Sequence, residues 1–188
     1  MKTLPTRLPG VLLLEPRVFG DARGYFLETW NDSAYRAAGI DAPFVQDNLS
    51  RSTRGVLRGL HFQNPEPQGK LVTVLDGSVF DVVVDLRVDS PTFAQWLGVT
   101  LSGEQPRQLW VPEGFAHGFQ VLSDTALFAY KCTRAYAPDH ERSLCWDDPD
   151  VGIAWPIPDP TLSDKDRRAP RLRETPTEHL FGGRDRAP

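Results

Sequence analysis

Cysteine, methionine and histidine are scarce in this chain, with two, one and four among 188 residues. Cys132 and Cys145 are too few for a disulfide framework, which excludes the small secreted scaffolds held by cross-links. They read instead as half-buried thiols in a reducing compartment. Long apolar runs are missing as well. The stretch from Val11 to Leu14 is too short for the core of a signal peptide and is followed by Glu15-Pro16-Arg17. Nothing approaches membrane-spanning length. The expectation is a soluble cytoplasmic protein with no membrane contact. An excess of basic charge is also lacking. Lys and Arg number 21 against 25 Asp and Glu, a net charge of −4, so a broad face for nucleic acid is excluded while a local anion pocket is not.

What is present is a β pattern. Hydrophobic residues make up 40% of the chain, enough for one domain over 1–188, with no second domain and no long-period repeat. Proline (17) and glycine (15) are spread along the whole length, as many short strands joined by turns require. Leu71–Leu75, Asp76-Gly77 and Val79–Leu86 read as a hairpin closed by a tight primed turn. In its second strand Phe80, Val82, Val84 and Leu86 share one face, with Asp81 and Asp85 on the other. Further strands are expected at Gln95–Leu101, Gln108–Val111, Gly118–Leu122 and Leu127–Thr133. The spacing suits a sandwich or jelly roll. One short helix fits Asn31–Gly39, with a capping residue at its start and a glycine at its end. From about Thr161 irregular coil or short helical turns are expected, fraying beyond Phe181.

Two histidines stand out because their neighbours are mostly apolar or glycine: Arg58-Gly59-Leu60-His61-Phe62-Gln63 and Pro112-Glu113-Gly114-Phe115-Ala116-His117-Gly118-Phe119. Histidine is the usual proton-transfer side chain near neutral pH. With Glu66 and Glu113 nearby, the pair could begin a metal site. The second segment resembles the second metal motif of the cupin superfamily. The first cupin motif calls for His-x-His, however, and here Gln63 takes the second place, so a barrel without a metal is the favoured reading. Arg58 and Lys70 flank His61. Strict alternation puts Arg58 on the face opposite His61, unless Gly59 marks a bulge that re-aims one of them. Tyr130 and Tyr136 read either as packing residues or as proton donors beside a lysine. The segment Leu162–Asp166 is either a solvated turn or the source of a carboxylate orienting His61. Arg23 and Glu28 are either exposed charges or part of a strand that adds to a sheet edge, in cis or from a second subunit.

Seven motifs occur in one order: Phe19-Gly20-Asp21, continuing through Arg23-Gly24, Phe26 and Glu28; Gln46-Asp47-Asn48 with Ser50; Gly55 through Gln63; Gln68 with Lys70-Leu71-Val72; Pro112 through Phe119; Tyr130-Lys131-Cys132-Thr133; and Leu162-Ser163 with Lys165-Asp166. Together they resemble the dTDP-4-dehydrorhamnose 3,5-epimerase family of deoxysugar biosynthesis, from about Pro9 to Asp166. The resemblance implies an all-β, cupin-like jelly roll with short peripheral helices, a homodimer exchanging N-terminal strands, and catalysis with no metal or other cofactor. The implied substrate is a dTDP-linked 4-keto-6-deoxyhexose. By motif position His61 is the base, Asp166 its carboxylate partner, Tyr130 the acid on the other face of the sugar, and Lys70 the neighbour of the C4 carbonyl. Gln46, Asn48, Arg58, His117, Glu141 and Lys165 line the sugar and diphosphate region, Tyr136 joins them, and Arg23 and Glu28 reach in from the partner subunit. Ala135 departs from the family, where many members have a tyrosine. Relatives that invert a single centre, or isomerise the ketone, share nearly all of these motifs, and a non-catalytic sugar- or metal-binding cupin is a further alternative.

Overall fold

The computed structural model describes residues 1–182; the fraying expected beyond Phe181 lies almost wholly outside them. In chain order the strands and helices are β1 (Lys2–Pro5), β2 (Leu12–Glu15), β3 (Val18–Asp21), β4 (Gly24–Leu27), α1 (Asp32–Ala37), β5 (Gln46–Thr53), β6 (Leu57–Gln63), β7 (Lys70–Asp76), β8 (Ser78–Asp85), β9 (Trp96–Ser102), β10 (Gln108–Val111), β11 (Phe115–Val121), β12 (Thr125–Cys132), β13 (Glu141–Ser143) and α2 (Asp164–Arg167). Two antiparallel sheets make the body. One has the order β1-β2-β10-β7-β12-β5 and the other β13-β6-β11-β8-β9, while β3 and β4 form a separate two-stranded hairpin. This is the expected cupin-like jelly roll.

Alternation explains the layering. Along β8, Val79 and Val83 point into the space between the sheets and pack with Phe119 of the adjacent β11 and with Val72, Val74, Leu109 and Phe128 of the facing sheet. Phe80, Val82 and Val84 point the other way and are covered by Leu144, Val151 and Leu180. Both faces of the strand are therefore buried, which accounts for its near-continuous apolar character. On the outside of the larger sheet, Leu14, Leu71 and Trp110 are covered by Tyr35 and Ile40 around α1. That helix begins at Asn31, whose side chain accepts from the Ala34 N–H, and is followed by Gly39 at φ +95°. The tail supplies α2 and short 3-10 turns, as its composition predicts.

The expected hairpin around Asp76-Gly77 does not form. β7 and β8 belong to different sheets. β7 is paired on both edges, by β10 and β12, and β8 likewise by β11 and β9. Asp76-Gly77 is a corner between sheets. Gly77 has φ +74°, and a Cβ there would lie 2.1 Å from the Thr125 carbonyl oxygen. Gly77 does take a positive φ, but the primed turn and the strand pairing expected around it are not found. Cys132 is fully buried, more than the half-burial expected, and Cys145 is half-buried; both are free thiols. Among the described residues no helix is long and apolar enough to cross a membrane.

Candidate active site

One end of the space between the sheets is filled by apolar side chains. The other opens into a cavity of about 750 Å³. β6 and β11 give it Arg58, His61 and His117 from the smaller sheet; β5, β7 and β12 give it Asn48, Lys70 and Tyr130 from the larger. Arg58 and His61 reach the same cavity because β6 is irregular between them. His117 pairs with His61, but Phe119 pairs with Arg58, so three steps on β6 match two on β11. This is the bulge that Gly59 hinted at. Gly59 has φ +128°, and a Cβ there would sit 2.5 Å from Cα of Gly118. Only glycine fits both the dihedral and the space.

Asp166 arrives from far along the chain. Thr161 forms a parallel bridge with Val56, its carbonyl accepting from the Leu57 N–H and its N–H donating to the Gly55 carbonyl. Ser163 then caps α2 by accepting from the Asp166 N–H at 3.1 Å. The cap holds the first turn so that Asp166 Oδ1 lies 2.5 Å from His61 Nε2. Asp166 is buried, which by itself would raise its pKa. Hydrogen bonds from His61 and Ser163 outweigh that and hold the carboxyl below its usual range. A charged carboxylate thus stands behind one imidazole nitrogen.

On the opposite sheet burial pulls the Lys70 ammonium below the usual lysine range, while Cys132, Asp81 and Glu141 push back. Burial raises the Tyr130 phenol, which keeps its proton available for donation near neutral pH. At the mouth, Glu141 accepts from Lys165 Nζ at 2.7 Å and from the Tyr136 hydroxyl at 3.0 Å. Burial alone would raise Glu141, but those bonds lower it. Tyr136 is 50% exposed. A smaller polar recess continues past His61 and Tyr130, with Gln46, Gln68 and Cys132 in its wall. Gln46 donates to Asn48 and accepts from the Tyr136 N–H.

Gln63, at the place of a second cupin histidine, is spent on backbone: its amide donates to the carbonyls of Glu66 and Ala135 and accepts from the Ala137 N–H. Glu66 faces His140 rather than His61, and Glu113 is absent from the cavity wall. No group of three or more His, Cys, Asp or Glu placed to hold a metal ion occurs among the described residues.

Eleven of the thirteen sequence-selected residues are thus gathered around these two connected hollows. Arg23 and Glu28 are not. Arg23 is paired with Asp21 and Glu28 accepts from Asn31, both exposed near the β3–β4 hairpin. One residue the sequence reading passed over is Asp81, which faces His117 inside the barrel. Its signal was available: a carboxylate on the same strand face as Val79 and Val83 must point into the core.

Comparison with known proteins decides the family. The sequence model of dTDP-4-dehydrorhamnose 3,5-epimerase matches residues 5–174. The chain belongs to this family. It is 57% identical over 170 residues to the dTDP-4-dehydrorhamnose 3,5-epimerase of Pseudomonas aeruginosa, covering 89% of this chain and 94% of that one. The enzyme of the same name from Methanothermobacter thermautotrophicus is 52% identical over 176 residues, covering 92% and 95%. Among solved structures, dTDP-6-deoxy-D-glucose-3,5-epimerase of Legionella pneumophila, in complex with dTDP-4-keto-L-rhamnose, superposes with a TM-score of 0.93 at 50% identity, covering 96% of this chain and 97% of that one.

Proposed function

We propose that this chain is an epimerase that inverts C3 and C5 of a dTDP-linked 4-keto-6-deoxyhexose, giving dTDP-4-dehydro-L-rhamnose. The observation that carries the reading is a cavity with a carboxylate-backed imidazole on one sheet, and an ammonium and a phenol on the other. The hydrogens at C3 and C5 flank the C4 ketone. Removing either as a proton leaves an enolate whose charge collects on O4, and return of a proton to the other face inverts the centre. His61 takes the proton through the nitrogen not spent on Asp166. Lys70 stabilises the oxyanion, a contribution of about 3 kcal/mol by analogy with oxyanion holes. Tyr130 returns a proton from the opposite sheet. A positioned acid or base contributes about 10²–10⁴-fold. The ketone supplies the acidity, so the chemistry calls for no redox partner.

Arg58, Asn48, His117, Gln46, Glu141 and Lys165 hold the sugar and diphosphate, with Tyr136 at the mouth. Arg58 suits a phosphate because its planar fork presents paired donors. Two copies complete the site: the exposed hairpin of each subunit crosses to the other, bringing Arg23 and Glu28. Support comes from its uncovered aromatics, Phe19, Tyr25 and Phe26, and from β5, which ends the larger sheet with Val45 and Leu49 exposed beside it. Two unpaired thiols suit the cytoplasm.

The test is incubation with dTDP-4-keto-6-deoxy-D-glucose in deuterated water, followed by NMR of the product. Deuterium at both C3 and C5 is expected, and its loss from both in His61→Ala with the fold intact. Label at one carbon alone would make this a single-centre epimerase. Unchanged labelling in His61→Ala would remove that residue from the role of base.

A further inference from the structure

The cavity holds a second carboxylate–imidazole pair that the proton transfers leave unused. Asp81 points inward from β8 and is completely shielded from solvent. Both of its oxygens lie 3.0 Å from Nε2 of His117. The register explains the approach. His117 pairs with Val83 and Phe119 with Asp81, so His117 and Asp81 are diagonal neighbours on one inner face. From the opposite sheet Phe128 stacks on the His117 ring at 6.1 Å between centroids. The ring is fixed on two sides, His117 lines the cavity, and with Nε2 engaged Nδ1 is the polar ring atom left for a ligand.

A carboxylate at this depth is costly to ionise without a cation beside it. Burial pushes the Asp81 carboxyl above its usual range, against the pull of His117 and Lys70. Asp81 therefore stands behind two of the groups that would meet an anionic ligand.

We propose that Asp81 is a positioning residue for the diphosphate of the substrate: it holds the His117 ring through Nε2–H, so that Nδ1–H is presented to a phosphate oxygen. The assignment deepens the reading of the cavity as a nucleoside-diphosphate-sugar site and rests on it. An imidazole donating at both nitrogens is an imidazolium, so the ligand-bound form holds a protonated His117. Asp81 on β8 contacts that ring, and the titratable groups lining the same cavity are His61 and Arg58 on β6, Lys70 on β7, Tyr130 on β12, Glu141 on β13, and Lys165 and Asp166 on α2. In the empty cavity Arg58 and Lys70 oppose one more positive charge. A diphosphate reverses that balance, and Asp81 stabilises the new charge from behind.

The experiment is titration calorimetry of dTDP in buffers of different ionisation enthalpy, from about pH 6 to 9, a range bracketing ordinary histidine titration. The native protein takes up protons on binding, and affinity falls as pH rises. In Asp81→Asn the affinity drops about tenfold or more, the loss of one charge-assisted contact, and the fall with pH begins at a lower pH. The double variant Asp81→Asn/His117→Gln binds no more weakly than His117→Gln alone. Native affinity with an unchanged pH profile in Asp81→Asn, or additive losses in the double variant, would overturn the assignment. If Asp81→Asn does not fold, His117→Gln carries the test: undiminished proton uptake there removes the pair from ligand binding. Because dTDP lacks the keto sugar, the two readings fail separately. A protein showing these binding signatures but exchanging no carbon-bound hydrogen would sink the epimerase reading and leave Asp81 in place.

Discussion

Between His61 and Asp166 the 2.5 Å contact does two things that a neutral partner would do less well. It fixes which imidazole nitrogen faces the cavity, and it stabilises the imidazolium formed when a carbon-bound proton is taken. Asp166→Asn keeps the shape and removes the charge, so kcat should fall about 10²-fold or more, within the span of general acid–base contributions. Stability responds as well. The folded-state pKa of Asp166 is held below its unfolded value, so its contribution is fully present above about pH 4 and is lost as pH falls through the folded value. Denaturation at neutral pH should show the variant weaker by about 1–3 kcal/mol, the scale of a hydrogen bond to a charged group. That gap should not shrink down to about pH 5 and should close only below the usual carboxylate range. A gap that closed between neutral pH and pH 5 would mean that another group controls it.

Strand β6 shows how one irregular step turns a sheet into a site. Without the bulge, alternation would send Arg58 away from His61; with it, both line one cavity. Gly59→Ala meets the backbone of β11 at 2.5 Å from a residue with φ +128°. The expected cost is about 2–4 kcal/mol from strain and overpacking together. Activity should fall further than the unfolded fraction explains, which kinetics beside a denaturation curve would separate. Gly59 also marks how far sequence reading reached. The strand periods, the cap at Asn31 and the Ser163–Asp166 turn were legible because each is set by residues within a few positions. Asp76-Gly77 named a turn but not the partners of the strands it joins, since pairing is decided by β10, β11, β12 and β9 competing for the same edges. The bulge was visible only as an option. The inward position of Asp81 was legible from alternation, but its role was not, because the partner His117 comes from the neighbouring strand β11.

At the scale of the whole molecule, the hairpin of β3 and β4 is the part that one chain leaves unexplained. It pairs with neither main sheet, and Phe26 is 70% exposed at its end. Aromatic residues carried on an exposed ribbon need a surface to cover them. The outer face of the larger sheet offers one, where Leu49 is 62% exposed and Leu75 is also exposed. A twofold exchange would satisfy both patches at once and carry Arg23 and Glu28 to the neighbouring cavity. Mixing separates this from a hairpin that serves its own chain. One parent carries His61→Ala with its arm intact; the other keeps His61 but carries Arg23→Ala and Glu28→Ala. Each homodimer should be nearly inactive. After reassortment half of the dimers are mixed, and each mixed dimer contains one site with an intact histidine and an intact donated arm. Activity should then recover to about a quarter of the native value per subunit, as random pairing in a closed twofold dimer requires. If the arm acted in cis, every site in the mixture would still lack one element, and no activity would return. Light scattering of the native protein supplies the companion measurement, and a fully active monomer would rule out the exchange.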